Sequence, residues 1–419
     1  MNIRFLFLAI MAFQLSLSPL VYGQQKFGKE IVAKLTSDEF HGRGYTNNGN
    51  KIAADYLAEQ FEKYGLKKFN DSYFQKFNID INTFPKKCGV TIKGKVLQPG
   101  VDFLPSPASG SDKGTFKLTW INKDNFLTIS RKIEIEKIPV EAIVLDMQGI
   151  KSQDTLQYFH QFKNYFSNQF PVVWIQDAKF THSMSQTQQK HAVVLVSREF
   201  VEGAETIDLD IEAVLEKDYE TQNVIGFIPG KKKNKYLCVT GHYDHLGEIA
   251  DTVIFPGAND NASGVAMLIY LMKYYSENPP KYSIVFMAFS AEEVGILGSK
   301  YYVENPIFPL EKIKFLVNCD ISGTGDEGIT VVNGTIHKKQ FKKLTAINTK
   351  NNYLHKVNIR GRAANSDHFW FTQQQVPCIF IYTMGGIKAY HDIYDKGETL
   401  PLSAFTNYSK LLIGFLDSF

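Results

Sequence analysis

The chain has 419 residues, 44% of them hydrophobic and 13% aromatic, which is ample for a large core. At roughly 150 residues per domain, that length suggests two or three domains. A formal net charge of +3 is close to neutral and argues against nucleic acid or a strongly anionic surface as the main partner. From the N-terminus, a short basic start ending at Arg4 leads into the apolar run FLFLAIMAF. The run relaxes into QLSLSPLVYG, with Val21 and Gly23 as small residues suited to a cleavage site. Residues 1–23 therefore read as a signal peptide, and the protein as exported, either periplasmic or secreted. The run is too short for a comfortable membrane span, and no other segment is apolar for long enough to make one. No cysteine follows the expected cut before Gln24, which argues against a lipid anchor.

Residues 24–85 read as an N-terminal helical part. Ile52, Ala53, Tyr56, Leu57, Phe61 and Tyr64 recur at helical spacing, and Gly65 stands where the helix should stop. From 86 to 216 the character changes to short β-like runs (AIVLDM, PVVWIQ, HAVVLVS) between turn-rich stretches, and this predicts a smaller β-rich inserted domain. Residues 217–419 alternate apolar strand-like runs (NVIGFI, KYLCVTG, YSIVFMAFS, IKFLVNCD, VPCIFIYT) with segments of helical period. Such alternation predicts an α/β fold: a three-layer α/β/α sandwich on a mixed, mainly parallel sheet. The basic run KKKNK, Lys231 to Lys235, reads as a solvated turn between two strands. Cys88, Cys238, Cys319 and Cys378 show no CxxC spacing and sit mostly in apolar runs; buried free thiols are expected, with one disulfide as the alternative.

In an open α/β sheet, ligands gather past the C-terminal ends of the strands. There this chain places His242 and Asp244 (after YLCVTG), Glu292 and Glu293 (after YSIVFMAFSA), Asp320 (after IKFLVNC) and His391 (after IFIYTMGGIKAY). Asp260 stands in GANDNASG, just ahead of the long helical segment SGVAMLIYLMKYYSEN. Singly, each has an ordinary explanation: a satisfied core histidine, a helix cap, an exposed acidic pair, a turn acid. Together they do not, because several carboxylates converging on one rim repel unless a multivalent cation neutralises them. Two histidines with three carboxylates suit zinc rather than calcium or magnesium, and they exceed what one open catalytic zinc needs. Two zinc ions sharing a carboxylate account for the set. Adjacent Glu292 and Glu293 then divide the work, one binding metal and the other handling the proton of the attacking water.

The ordered motifs GHYDHLG, GANDNASG, FSAEEVGILGS, NCDISG, SDHFWF and YHDIYD resemble the exported di-zinc aminopeptidase family. Its relatives include glutamate carboxypeptidase-type peptidases and the single-zinc glutaminyl cyclases. The resemblance covers Asn223 to Phe419 and the N-terminal HGRG…AADYLAEQF segment. It implies that His242 and Asp320 bind one zinc, that Glu293 and His391 bind the other, and that Asp260 bridges both. It implies further that Asp244 orients the His242 ring, that Glu292 is the general base, and that Tyr390 donates to the oxyanion. Asn259 departs from the family's commoner second aspartate at a position that is not the bridging ligand. NCDISG departs from N-x-D-M-x-G only at a packing neighbour. His245 is expected at the rim or as a hydrogen-bonding neighbour of the ligands. Ser366, Asp367 and His368 match the family's SDH motif, in a supporting role; no nucleophile elbow accompanies them, which argues against a serine triad.

The sequence thus predicts a zinc exopeptidase, an aminopeptidase acting on peptides. A glutaminyl cyclase-like transferase is an alternative that would need only one zinc. A carboxypeptidase is another, kept open by Arg360 and Arg362 beside the SDH motif. A receptor-like binding module without metals is the reading least compatible with a full ligand set and Glu292.

Overall fold

The computed structural model describes residues 23–419. The expected leader therefore lies outside the described residues except for Gly23, and residues 23–35 are helical. Among the described residues, no helix is long and apolar enough to cross a membrane.

Two eight-stranded sheets organise the chain. The first runs in the order Phe74–Thr83, Val214–Ile228, Tyr282–Phe289, Lys232–His242, Ile313–Cys319, Cys378–Met384, Gly328–Val332, Val357–Ile359. Its four central strands, from Tyr282–Phe289 to Cys378–Met384, are mutually parallel, and antiparallel pairs flank them on both sides. These strands are covered on both faces, so their runs are apolar throughout, and alternate residues enter different cores. Leu237, Val239, Ile284, Phe286, Phe315 and Val317 pack with the helices Gly49–Lys63, Ser263–Glu277 and Phe405–Asp417. Cys238, Val285, Met287, Phe289 and Leu316 face the other way, against Tyr302 and Val303 of helix Leu297–Glu304 and Phe371 of helix His368–Gln373. The outcome is the three-layer α/β/α sandwich. Helix Ser263–Glu277 is buried along nearly its whole length and stops before Pro279, which cannot continue it. Helix Gly49–Lys63 ends where Gly65 takes a φ of +69° and its neighbour Leu66 donates back to Phe61 O.

The second sheet is drawn entirely from residues 88–211, in the order Lys95–Val96, Cys88–Ile92, Thr206–Ile211, Asp112–Asn122, Ala142–Asp146, Val172–Ile175, Val193–Val196, Phe103–Pro105. It has its own core, into which Leu246, Ile249 and Phe255, from the stretch after strand Lys232–His242 of the first sheet, are sunk. The chain leaves for this sheet and returns from it on neighbouring strands, Thr83 pairing with Val214.

Three local expectations are corrected. Residues 24–85 are not wholly helical, because Phe74–Thr83 is a strand whose Phe77, Ile79 and Ile81 point inward. The middle of the chain carries a long helix, Gln153–Phe166, which buries Phe159 and Phe166. Lys232 to Lys235 form the exposed start of strand Lys232–His242 rather than a turn; Pro229 and Gly230 precede it instead. All four cysteines are buried and unpaired.

Candidate metal centre

The parallel strands bring the polar groups to one edge. His242 ends its strand, Asp320 directly follows Cys319, Glu292 and Glu293 lie three and four residues beyond Phe289, and His391 follows the glycine-containing loop after Met384. Asp260 reaches the same point from the turn ahead of helix Ser263–Glu277. There its two carboxylate oxygens face different imidazoles. Oδ1 is 3.2 Å from His242 Nε2, and Oδ2 is 3.1 Å from His391 Nε2. A second acid completes each side: Asp320 Oδ1 lies 3.3 Å from His242 Nε2, and Glu293 Oε2 lies 3.2 Å from His391 Nε2.

These separations test the site against a metal. Donors about 2.0–2.1 Å from a tetrahedral zinc stand about 3.3 Å apart along each edge of the tetrahedron. The donor pairs on both sides of Asp260 meet that spacing. Both rings also turn Nδ1 to a backbone carbonyl, His242 to Asp244 O at 3.2 Å and His391 to His182 O at 3.1 Å, leaving Nε2 aimed inward. That orientation is the one a ligating histidine needs. On each side of Asp260 the donors present are spaced as a zinc site requires.

On the protein's own charges, the imidazoles supply the positive charge the acids require. Burial works against a charged His391, yet Glu293 and Asp260 push its pKa up to about 11. Burial likewise opposes a charged His242, and Asp320 and Glu292 raise it well above the ordinary histidine value. Burial and Asp260 work against ionised Glu293, but His391 and the His245 hydrogen bond hold its carboxyl down at about 2. Burial raises Asp320, only partly offset by His242.

With that geometry in hand, comparison with known proteins is direct. Residues 223–416 match the peptidase family M28. An aminopeptidase from Bacillus subtilis, YwaD, is 36% identical over 110 residues, covering 26% of this chain and 23% of that protein. A probable zinc metalloprotease from Pyrenophora teres f. teres is 34% identical over 113 residues, 25% of this chain and 23% of the relative. These alignments thus span only about a quarter of the curated relatives. In three dimensions the likeness is longer. A zinc aminopeptidase from Bacillus subtilis superposes with a TM-score of 0.71 over 94% of both chains at 18% identity. A peptidase M28 precursor from Shewanella amazonensis gives 0.71 over 96% of this chain and 95% of that one at 16% identity. At such identities the superpositions establish a shared fold.

Around this cleft, the other expected residues take distinct places. Glu292 lines the same cleft, about 410 Å³ in volume, and burial raises its pKa well above the ordinary carboxylate value, with Glu293, Asp320 and Asp367 adding to the effect against the pull of His242. Tyr390 is half-exposed at the cleft and stacks on His391, ring centroids 4.0 Å apart. The Asp244 carboxylate stands 3.7 Å from His242 Nδ1, long for a hydrogen bond. It accepts instead from Tyr45 Oη at 3.0 Å and from the backbone N–H groups of Glu292 and Glu293 at 3.2 and 3.3 Å. Its contact with the ring runs through its main-chain carbonyl, and its side chain steadies the glutamate pair. His245 is not at the rim: it is fully buried and lies 2.7 Å from Glu293 Oε1, so that Asp260, Glu293 and His245 also group closely enough to hold an ion. Ser366 Oγ donates to Asp320 Oδ2 at 2.8 Å, while Asp367 and His368 are buried nearby. A larger groove of about 760 Å³ lies elsewhere, between Thr36, Val101, Val253 and Lys396, and carries neither ligand cluster.

Three further supports went unread in the sequence. Asn261 donates to His242 O and Cys319 O and accepts from Gly264 and Ile321, tying the ligand-bearing loops together. Asp395 accepts from the backbone N–H of Asn259 and Asp260, and burial raises its pKa to about 6. Arg43, fully buried, donates to the carbonyls of Leu35, Tyr243, Pro256 and Gly257, fixing the turn that leads to Asp260. All three do lie inside quoted motifs, HGRG, YHDIYD and GANDNASG, but in polar sequence surroundings that do not mark them as buried.

Proposed function

We propose that this protein is an exported zinc exopeptidase with two ions per chain, most naturally an aminopeptidase acting on peptides. The observation carrying the reading is Asp260, whose two oxygens each face one imidazole with a further acid beside it. His242 and Asp320 would hold one ion, His391 and Glu293 the other, and Asp260 both. When bound, zinc supplies Lewis-acid polarisation of the scissile carbonyl and acidifies the attacking water. Glu292 takes the proton from that water and returns it to the leaving amine; its raised pKa suits a group that must hold a proton between the two events. Tyr390, which lines the cleft, would donate a hydrogen bond to the developing oxyanion.

A carboxypeptidase is the second reading, favoured by Arg360, which lines the cleft and donates to Tyr382 Oη at 3.4 Å. Zinc analysis beside hydrolysis of amino-acid amides and of N-blocked peptides with a free C-terminus separates the possibilities. Two zinc ions with cleavage of the amides alone are expected. Cleavage of the N-blocked peptides would transfer the assignment to a carboxypeptidase, and a single ion at saturation would favour a cyclase-like enzyme. For export, mass spectrometry of the native protein should find a mature N-terminus at or near Gln24; a chain beginning at Met1 would overturn that part.

A further inference from the structure

The insertion reaches the metal centre through one short segment, Lys179 to Gln186. His182 N donates to His391 O at 2.8 Å, and its carbonyl accepts from His391 Nδ1 at 3.1 Å. The ligand's ring and its backbone are thus both gripped by one residue of the other domain. Residue 182 is itself anchored: its buried ring stacks on Phe255, centroids 5.0 Å apart, within the core that Phe255 shares with the insertion. Three residues earlier, Lys179 pairs with the buried carboxylate of Asp392 and donates to Lys388 O at 3.0 Å. Asp392 in turn accepts from Tyr394 N at 2.8 Å, so the ion pair holds the bend that presents His391. At the segment's other end, Gln186 Nε2 donates to Val294 O at 3.0 Å, directly after Glu293. The segment therefore spans the two loops bearing His391 and Glu293. His242 and Asp320, by contrast, take their partners Asp244 and Ser366 from the part of the chain that carries the ligands themselves.

We propose that Lys179–Gln186 is a positioning element for one ion only, the one held by His391 and Glu293, so that docking of the inserted domain sets the affinity of that site. Resting on the two-zinc reading above, the proposal gives the insertion a defined role, since it supplies the carbonyl and the cation that hold one half of the centre in ligating geometry. Outer partners of metal ligands typically change metal affinity about 10–100-fold when removed. Lys179→Met also leaves Asp392 buried without its cation, which loosens the bend.

The test is a graded chelator titration of the full-length protein with zinc counted at each step, repeated with cobalt(II) to follow the visible spectrum. The unaltered protein should release two ions. Lys179→Met should release one of them at a chelator concentration about 10–100-fold lower while keeping the other as before, with loss of one cobalt band set. Lys179→Arg should restore the original titration. Gln186→Leu, which leaves the ion pair intact, should shift the same ion in the same direction by less, and serves if Lys179→Met does not fold. An unaltered protein that holds fewer than two ions would overturn the two-zinc reading itself. An unaltered protein with two ions, beside variants that titrate like it or loosen both ions equally, would overturn the positioning role alone.

Discussion

The two imidazoles at the centre are chemically alike and differently supported. His242 is the last residue of a central strand, and the acid beside it, Asp320, follows the adjacent strand with Ser366 bonded behind it. His391 sits on a loop, at a φ of +52°, and is steadied by contacts from a different domain. One half of the site inherits its geometry from a sheet that the fold must build in any case. The other half depends on two cores meeting correctly. A ligand on a strand end is positioned by hydrogen-bond register, whereas a ligand on a loop needs dedicated partners, and those partners can be supplied from elsewhere in the chain.

The severest way to break the comparison is to remove what the halves share. Asp260→Ala should empty both sides together, reducing zinc below one ion per chain and abolishing hydrolysis; retention of one full ion would mean that Asp260 does not bridge. Glu292→Gln removes chemistry and spares both halves. It should keep the full metal content while turnover falls about 10²–10⁴-fold, with little change in KM. Loss of zinc from that variant would reassign Glu292 as a ligand. To sharpen the contrast, Ser366→Ala acts on the sheet-held side alone. It should weaken the His242–Asp320 ion about 10–100-fold in a chelator titration and leave its neighbour unchanged. The smallest effect concerns pH. Burial holds the His368 ring, which packs on Phe380, down at a pKa of about 4. The unfolded side chain takes up its proton near pH 6.5, so the unfolded state binds protons first as pH falls. Stability should drop between about pH 6.5 and 4 and level off below, by up to about 2 kcal/mol at pH 5. Urea midpoints at pH 7 and 5 should converge in His368→Phe relative to the unaltered protein.

How much of this was legible in the sequence follows from where each signal resides. The central strands were readable because burial on both faces leaves them apolar over short continuous runs, as in IVFMAF or FLV. His242 and Asp320 were readable because they stand at or just past the ends of such runs, Glu292 and Glu293 a few residues beyond one, and Asp260 because it stands just ahead of the long helical segment. Strand Phe74–Thr83 was missed although Phe77, Ile79 and Ile81 alternate with Asn78 and Asp80, the ordinary signature of a strand with one face buried, so the signal was present and went unread. Helix Gln153–Phe166 escaped because only Phe159 and Phe166 are deeply buried in it. The clamp on His391 had no signature at all: it is made by the backbone of residue 182, and any side chain offers the same carbonyl. Of the two places expected for His245, the structure gives the buried one, hydrogen-bonded to Glu293, which its motif could not decide because it gives spacing, not depth.

The strands that open and close the insertion are hydrogen-bonded neighbours, with Thr83 opposite Val214. During synthesis the edge strand Phe74–Thr83 emerges long before its partner and must wait through residues 84–213 for a ladder to join. Closing so long a span as floppy chain would be entropically unfavourable, but a folded sheet domain bridges it as a rigid, compact spacer with its ends already side by side. Every proposed metal ligand, from His242 to His391, comes later still. The segment proposed to brace one ion, Lys179–Gln186, is thus made before the ligand it would brace, while the core beneath it is completed only when Leu246, Ile249 and Phe255 have followed.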